Sequence, residues 1–262
     1  MQLTHELNRL LAGRQLEPVS LGESGAAVWR CTQPGHAAWY LKSAPVDPHR
    51  GLEREAACMR WMREFELPVP AVLAYRRSND IDYLLSEAGV GVPASDSEWA
   101  QESRGVAAAL GHGLARLHSP DVTTCPFDRR VQSQLDEARD RIAAGRVNED
   151  DFDAARRGRA AADLFVDLLD MVPQHEDLVL VHSDFCLPNV LLSWVGRELQ
   201  LTGLVDCGRA GLGDRHQDLA LAIRSLIFNF GGDTVATFLS AYGGAPIDSK
   251  TLEFFTILDE FF

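Results

Sequence analysis

"VLVHSDFCLPNVLLSW", residues 179–194, is the stretch on which the reading of this chain turns. An apolar run, Val179-Leu180-Val181, stops at His182-Ser183-Asp184. Asn189 follows five positions after Asp184, and the chain then turns apolar again. A strand that halts at a polar cluster and restarts is not building core at that point; it presents groups to something. Seventeen residues after Asn189 a second apolar strand, "LTGLV" (201–205), ends in Asp206-Cys207-Gly208.

On the N-terminal side the pattern is mostly of strand type. "LEPVSLGESGAAVWRCTQ" (16–33) reads as strand, turn, strand, and "HAAWYLKSA" (36–44) as a third strand with Lys42 near its end. "RGLEREAACMRWMREFEL" (50–67) carries apolar residues at 52, 56, 59, 62 and 65, a helical period that Pro68 ends. "AVLAYRR" and "IDYLLSEAG" are two more strands, and the Gly/Ser/Pro-rich "SEAGVGVPASDS" (86–97) marks a junction. Helices are expected at 98–118, 128–145, 159–172, 216–229, 233–242 and 249–262, with a hairpin-like pair around "LLSWVGRELQLTGLV". The class is α+β. A small β-rich lobe, 1–88, joins a larger mostly helical lobe, 89–262, and ligands are expected in the cleft that such lobes leave.

Composition bounds the partners. The 262 residues are 46% hydrophobic and 24% charged, ordinary globular values, with a formal net charge of −13. That sign argues against nucleic acid and anionic membrane and in favour of a small cationic molecule. Residues 1–92 hold 10 basic and 11 acidic residues against 15 and 27 in 93–262, so the excess acid lies in the second part. No apolar run reaches membrane-spanning length, and "MQLTHELNRLLAG" lacks the pattern of a secretory signal, so a cytoplasmic protein is expected, as a monomer or weak dimer. The cysteines at 31, 58, 125, 186 and 207 form no CxxC pair and read as reduced packing residues. Only Lys42 and Lys250 among the 25 basic residues are lysines, so a lysine inside an apolar segment needs a reason.

His182-x-Asp184-x-x-x-x-Asn189 has the spacing of the catalytic loop of protein kinases, and Asp206-Cys207-Gly208 stands where those enzymes have Asp-Phe-Gly. Phosphoryl transfer needs a carboxylate facing the acceptor hydroxyl, another facing the metal, and an oxygen donor that shares the metal without adding charge. Asp184, Asp206 and Asn189 fit those roles, with Mg²⁺ as the hard cation. In the kinase arrangement Lys42 pairs with Glu55 and points at the nucleotide phosphates, under a turn, "GESGAA" (22–27), whose amides and Ser24 face inward. His182 and Asp218 are read as structural, Asp218 holding the loop backbone from the following helix.

The chain resembles the aminoglycoside 3′-phosphotransferases, bacterial antibiotic-resistance kinases with a protein-kinase-like fold. The stretches that carry the likeness are "WYLK" with "LEREA", "LPVPAVL", "LLSEA", "CPFDRR", "VHSDFCLPNVLL", "GLVDCGRAGLGDRHQDLALAIR" and "LDEFF". The resemblance implies an ATP-dependent transfer to an aminoglycoside 3′-hydroxyl, giving resistance; GTP as donor stays open, as does another small-molecule alcohol as acceptor. It implies adenine stacking on Tyr40 and edge contacts from the backbone of Ser86, Glu87 and Ala88. It also implies Asp184 at the hydroxyl, Asn189 and Asp206 on Mg²⁺, and an acceptor site lined by Asp151, Asp153, Arg209, Asp259, Glu260 and the Phe262 carboxylate.

Three departures stand out. The family has Gly before the catalytic Asp where this chain has Ser183, whose Cβ a modest backbone shift is expected to absorb. Ala154-Ala155-Arg156-Arg157 follows Asp153 where close relatives keep acids. Ser225-Leu226-Ile227-Phe228 follows Arg224 where relatives often have Asp first and Glu last. The nucleotide side reads as intact and the acceptor side as thinned.

Overall fold

The computed structural model describes residues 3–19, 26–47, 51–243 and 246–262. In chain order the elements open with α1 (His5–Leu10), β1 (Gln15–Val19), β2 (Ala27–Thr32), β3 (Trp39–Pro45), α2 (Leu52–Arg63), β4 (Val72–Ser78), β5 (Ile81–Glu87) and β6 (Val92–Pro93). They continue with α3 (Ser103–Leu117), α4 (Val131–Ala143), α5 (Ala161–Leu169), β7 (Leu178–Val181), β8 (Val190–Val195), β9 (Glu198–Leu204), β10 (Gly211–Asp214), α6 (Arg215–Phe230), α7 (Val235–Tyr242) and α8 (Ser249–Asp259). The chain packs as two compact units, Met1–Ala94 with Asn189–Arg209, and Ser95–Pro188 with Ala210–Phe262.

The first unit is built on an antiparallel sheet of order β1-β2-β3-β5-β4. Alternation along β3 sends Leu41 into a core with Leu7, Leu11, Cys31 and Leu85, and so turns Lys42 to the other face. Helix α2 packs against the sheet strands with Leu52, Glu55, Ala56, Met59 and Met62 on its buried side, one helical stripe. It stops at Arg63, earlier than Pro68 alone would require, because Glu66 adopts a left-handed φ of +55° and turns the chain. A second sheet, β6-β8-β9, completes the unit.

The second unit is mostly helical. Its core joins α4, α5 and α8 through Leu135, Phe152, Phe165, Phe254, Leu258 and Phe261. The helix expected from 98 begins only at Ser103, after a one-turn 3₁₀ segment (Ser97–Trp99) that the Asp96 side chain caps. Sequence pattern did not reveal the pairing of β7 with β10, which brings the start of "GLGD" beside the end of "LVLV". Beside β10 the backbone of Phe127–Arg129 adds two further bonds, Leu212 N to Phe127 O and Arg129 N to Leu212 O, both 2.8 Å. Gly211 allows that approach, since a Cβ there would sit 2.5 Å from the Phe127 carbonyl oxygen.

Candidate active site

In the first unit, Lys42 Nζ lies 2.7 Å from Glu55 Oε1 and 3.2 Å from Asp206 Oδ1. The strand supplies the lysine, the buried stripe of α2 supplies Glu55, and the segment after β9 supplies Asp206. Burial alone would lower the lysine pKa. The two carboxylates outweigh it and hold the ammonium protonated above its ordinary range. Glu55 is almost wholly buried, whereas the Asp206 side chain is 41% exposed, so one acid anchors the lysine and the other also faces outward. Asp206 sits at φ +59°, a left-handed conformation that residues other than glycine seldom adopt. Arg54 Nε donates to the Gly208 carbonyl at 2.9 Å, tying α2 to this segment a second time.

The hairpin explains the seventeen-residue spacing. Strands β8 and β9 pair from Val195↔Glu198 to Val190↔Leu204, and Val205 N then donates to Asn189 O at 3.0 Å. Asn189 and Asp206 therefore leave the same open end of one hairpin, two hard oxygen donors of the kind Mg²⁺ takes. Cys207 beside them is fully buried, and desolvation, with Glu55 next in weight, pushes its thiol well above its normal pKa, so it offers no thiolate. Among the described residues no group of three or more His, Cys, Asp and Glu side chains is arranged to hold a metal. A two-ligand site, completed by water and phosphate, fits that donor set.

Tyr40 lies opposite Ser86 in the β3–β5 ladder. Glu87 N donates to Ala71 O at 2.9 Å and Ala88 N to Ala38 O at 3.0 Å, so both are committed to the sheet. Ser24 and most of the "GESGAA" turn fall outside the described residues.

In the second unit the loop that follows β7 hangs on one helix. Asp218, wholly buried in the first turn of α6, accepts His182 N at 2.7 Å and Ser183 N at 2.8 Å, and its Oδ2 lies 3.2 Å from His118 Nε2. Two turns along, Ser225 Oγ accepts Leu187 N at 3.0 Å. Position 225, expected as a lost acid, is thus a loop support. Ser183 takes φ +65° and donates from Oγ to Gln217 Oε1 at 3.3 Å. Asp184 is half-buried between these anchor points, and Cys186 Sγ donates to its Oδ1 at 3.4 Å. His182 is buried within the loop, in keeping with a structural role.

The acids expected to serve the acceptor are already engaged with groups of the chain. Arg156 Nη1 meets Glu260 Oε1 at 3.0 Å and Asp153 Oδ2 at 3.2 Å, and Asp153 N donates to Glu260 Oε2 at 3.1 Å. Arg224 pairs with Asp259. Arg141 Nε donates to the Phe261 carbonyl at 2.6 Å, and its Nη2 lies 3.4 Å from Phe262 O. Asp151 is exposed and takes a bond from Asn148. Arg209 belongs to the first unit, in a short turn that follows Asp206. Desolvation raises the Glu260 pKa above the ordinary carboxylate range. Arg156 fell in a stretch expected as lost acids, and Arg224 drew no expectation of its own; their pairing partners lie 104 and 35 residues away, beyond any local pattern.

The sequence matches the Phosphotransferase enzyme family over residues 15–255. It is 35% identical to an aminoglycoside 3′-phosphotransferase of Streptomyces fradiae, over 98% of each chain. Among solved structures it is similar to an aminoglycoside-3′-phosphotransferase of type VIII, with a TM-score of 0.87, 35% identity, and 98% of this chain and 97% of that one covered. It is similar also to APH(3″)-Id of Streptomyces rimosus in complex with ADP and streptomycin, with a TM-score of 0.82, 28% identity, and 97% and 95% covered.

Proposed function

The chain belongs to the phosphotransferase enzyme family, and from that premise we propose that it transfers the γ-phosphoryl group of ATP to the 3′-hydroxyl of an aminoglycoside. The observation that carries this is the Lys42–Glu55–Asp206 cluster, with Asn189 bonded through its backbone to the same hairpin end. Lys42 has two of its three N–H donors on carboxylates, and the third serves a phosphate oxygen. Asn189 and Asp206 would hold Mg²⁺, which supplies neutralisation of the phosphate charge when bound. Asp184, held in a loop braced by Asp218 and Ser225, orients the acceptor hydroxyl and takes its proton.

Tyr40 stacks on adenine and the carbonyls of 86–88 take its amino edge, since the amides are engaged. Residues 1–88 are the nucleotide-binding lobe in this reading and 89–262 carry the catalytic loop and acceptor site. Asp151, Asp153, Arg209, Asp259, Glu260 and Phe262 serve the acceptor. A cytoplasmic monomer or weak dimer agrees with the acidic composition, and no helix among the described residues is long and apolar enough to cross a membrane.

The test is coupled ADP release across aminoglycosides with and without a 3′-hydroxyl. Turnover confined to those that have it supports the proposal; turnover indifferent to it, or none, refutes it. A second reading, transfer to a 3″-hydroxyl, draws on the likeness to the streptomycin complex of the 3″ enzyme, and the same panel separates the two.

A further inference from the structure

Arg156 touches both of its acids with one nitrogen. Nη1 lies 3.0 Å from Glu260 and 3.2 Å from Asp153, and no fork of two parallel bonds to either carboxylate is formed. A single nitrogen shared by two carboxylates is a contact that a primary ammonium can make equally well. The pair is sheltered, with side-chain exposures of 15% for Arg156 and 4% for Glu260. Glu260 also accepts the Asp153 amide, which anchors its carboxylate independently of the arginine. Arg156 itself stands on the turn after Asp153, its own N–H bonded to Asp153 O at 2.7 Å, and its side chain reaches back three residues.

We propose that Arg156 is a built-in competitor for the acceptor, its Nη1 occupying the position of a substrate primary ammonium between Asp153 and Glu260. This rests on the reading of the chain as an aminoglycoside kinase. Binding of an aminoglycoside then requires Arg156 to leave and an acceptor amine to take over both carboxylates. The arginine thereby sets acceptor affinity and selects for ligands that bring an amine to that place. Arg156 is a specificity-determining residue in this scheme, without contact to the reacting atoms.

The experiment compares wild type, R156Q and R156K with kanamycin and neomycin. It reads KM for acceptor and for ATP, and Tm with and without acceptor. R156Q is expected to lower the acceptor KM about tenfold, to shift the ATP KM less than twofold, and to gain more Tm from kanamycin than wild type does, since the drug fills the vacated place. R156K keeps a cation beside Glu260 and so guards against loss of fold. Its side chain is shorter and its ammonium stops short of the place Nη1 holds between the two acids, and about a threefold fall in acceptor KM is expected. An acceptor KM at or above wild type in both variants, with an unchanged Tm gain, overturns the proposal while leaving the kinase reading intact. Wild type that phosphorylates no aminoglycoside overturns both.

Discussion

Lys42 and Arg156 are each held by two carboxylates at nearly the same distances, 2.7 and 3.2 Å for the lysine, 3.0 and 3.2 Å for the arginine. The roles are reversed. Around Lys42, on the proposed reading, the cation is the working group, and Glu55 and Asp206 keep it charged. Around Arg156, on the proposed reading, the acids are the working groups and the cation stands in for a substrate amine. On the proposed reading, the lysine of the nucleotide side stays charged between its two acids, whereas the acids assigned to the acceptor are neutralised by an arginine of the chain itself. A buried ion pair is weak evidence for stability and better evidence for placement; here the two pairs place different things.

The contrast breaks most forcefully at the carboxylates of the chemistry. Asp184→Ala is expected to lower kcat by at least ~10²-fold with nucleotide affinity almost unmoved, because it acts on the hydroxyl. Asp206→Ala is expected to abolish Mg²⁺-dependent nucleotide binding and to release one side of Lys42; titration of a fluorescent ATP analogue with and without Mg²⁺ reads both. Deletion of Phe261 and Phe262 comes next. Phe261 is fully buried against Phe165 with ring centroids 5.6 Å apart, so the deletion costs the fold ~3–5 kcal/mol before it tests any charge. A Tm fall of about 10 °C is expected, with ATP and acceptor kinetics damaged together. Lys42→Arg keeps the charge but not the single-point contact with Glu55 and Asp206, and its KM for ATP should rise roughly tenfold.

Acid pH sharpens the comparison from the acceptor side. Burial raises the Glu260 pKa, so Glu260 takes up a proton at a higher pH than an ordinary glutamate. As pH falls through that value the acceptor loses a carboxylate partner, and KM for kanamycin should start to rise at a higher pH than an ordinary glutamate would allow, with a flatter profile in Glu260→Gln. The stability sign is opposite. A raised carboxyl pKa contributes stability that is fully present below the unfolded value and is lost as pH rises through the folded one. The smallest effect belongs to Ser183→Gly. Relief of a left-handed serine, ~1 kcal/mol, is offset by the greater chain entropy of glycine and the lost bond to Gln217, and a Tm change under about 2 °C is expected.

Much of this was legible from local pattern. The period of α2 put Glu55 on the buried stripe with Leu52 and Met59, and the alternation of β3 separated Lys42 from Leu41. The spacing of Asn189 and Asp206 encodes one hairpin, a local object. What stayed hidden depends on distant partners. Nothing near Ala88 announces that its amide is taken by Ala38, and nothing near Ser183 shows that Asp218 and Gln217 hold it in a left-handed turn. Arg156 looked like a lost acid because its meaning lies in Glu260, a hundred residues on.

The central claim is that this machinery places phosphate on one particular oxygen. The direct measurement is ³¹P–¹H correlation NMR of the product formed from a kanamycin-type aminoglycoside with ATP and Mg²⁺. The account expects a single phosphate coupled to the proton at the 3′ carbon, absent when Asp184→Ala replaces the wild type. A phosphate at the 3″ position, or ATP consumed with no phosphorylated drug, would contradict it.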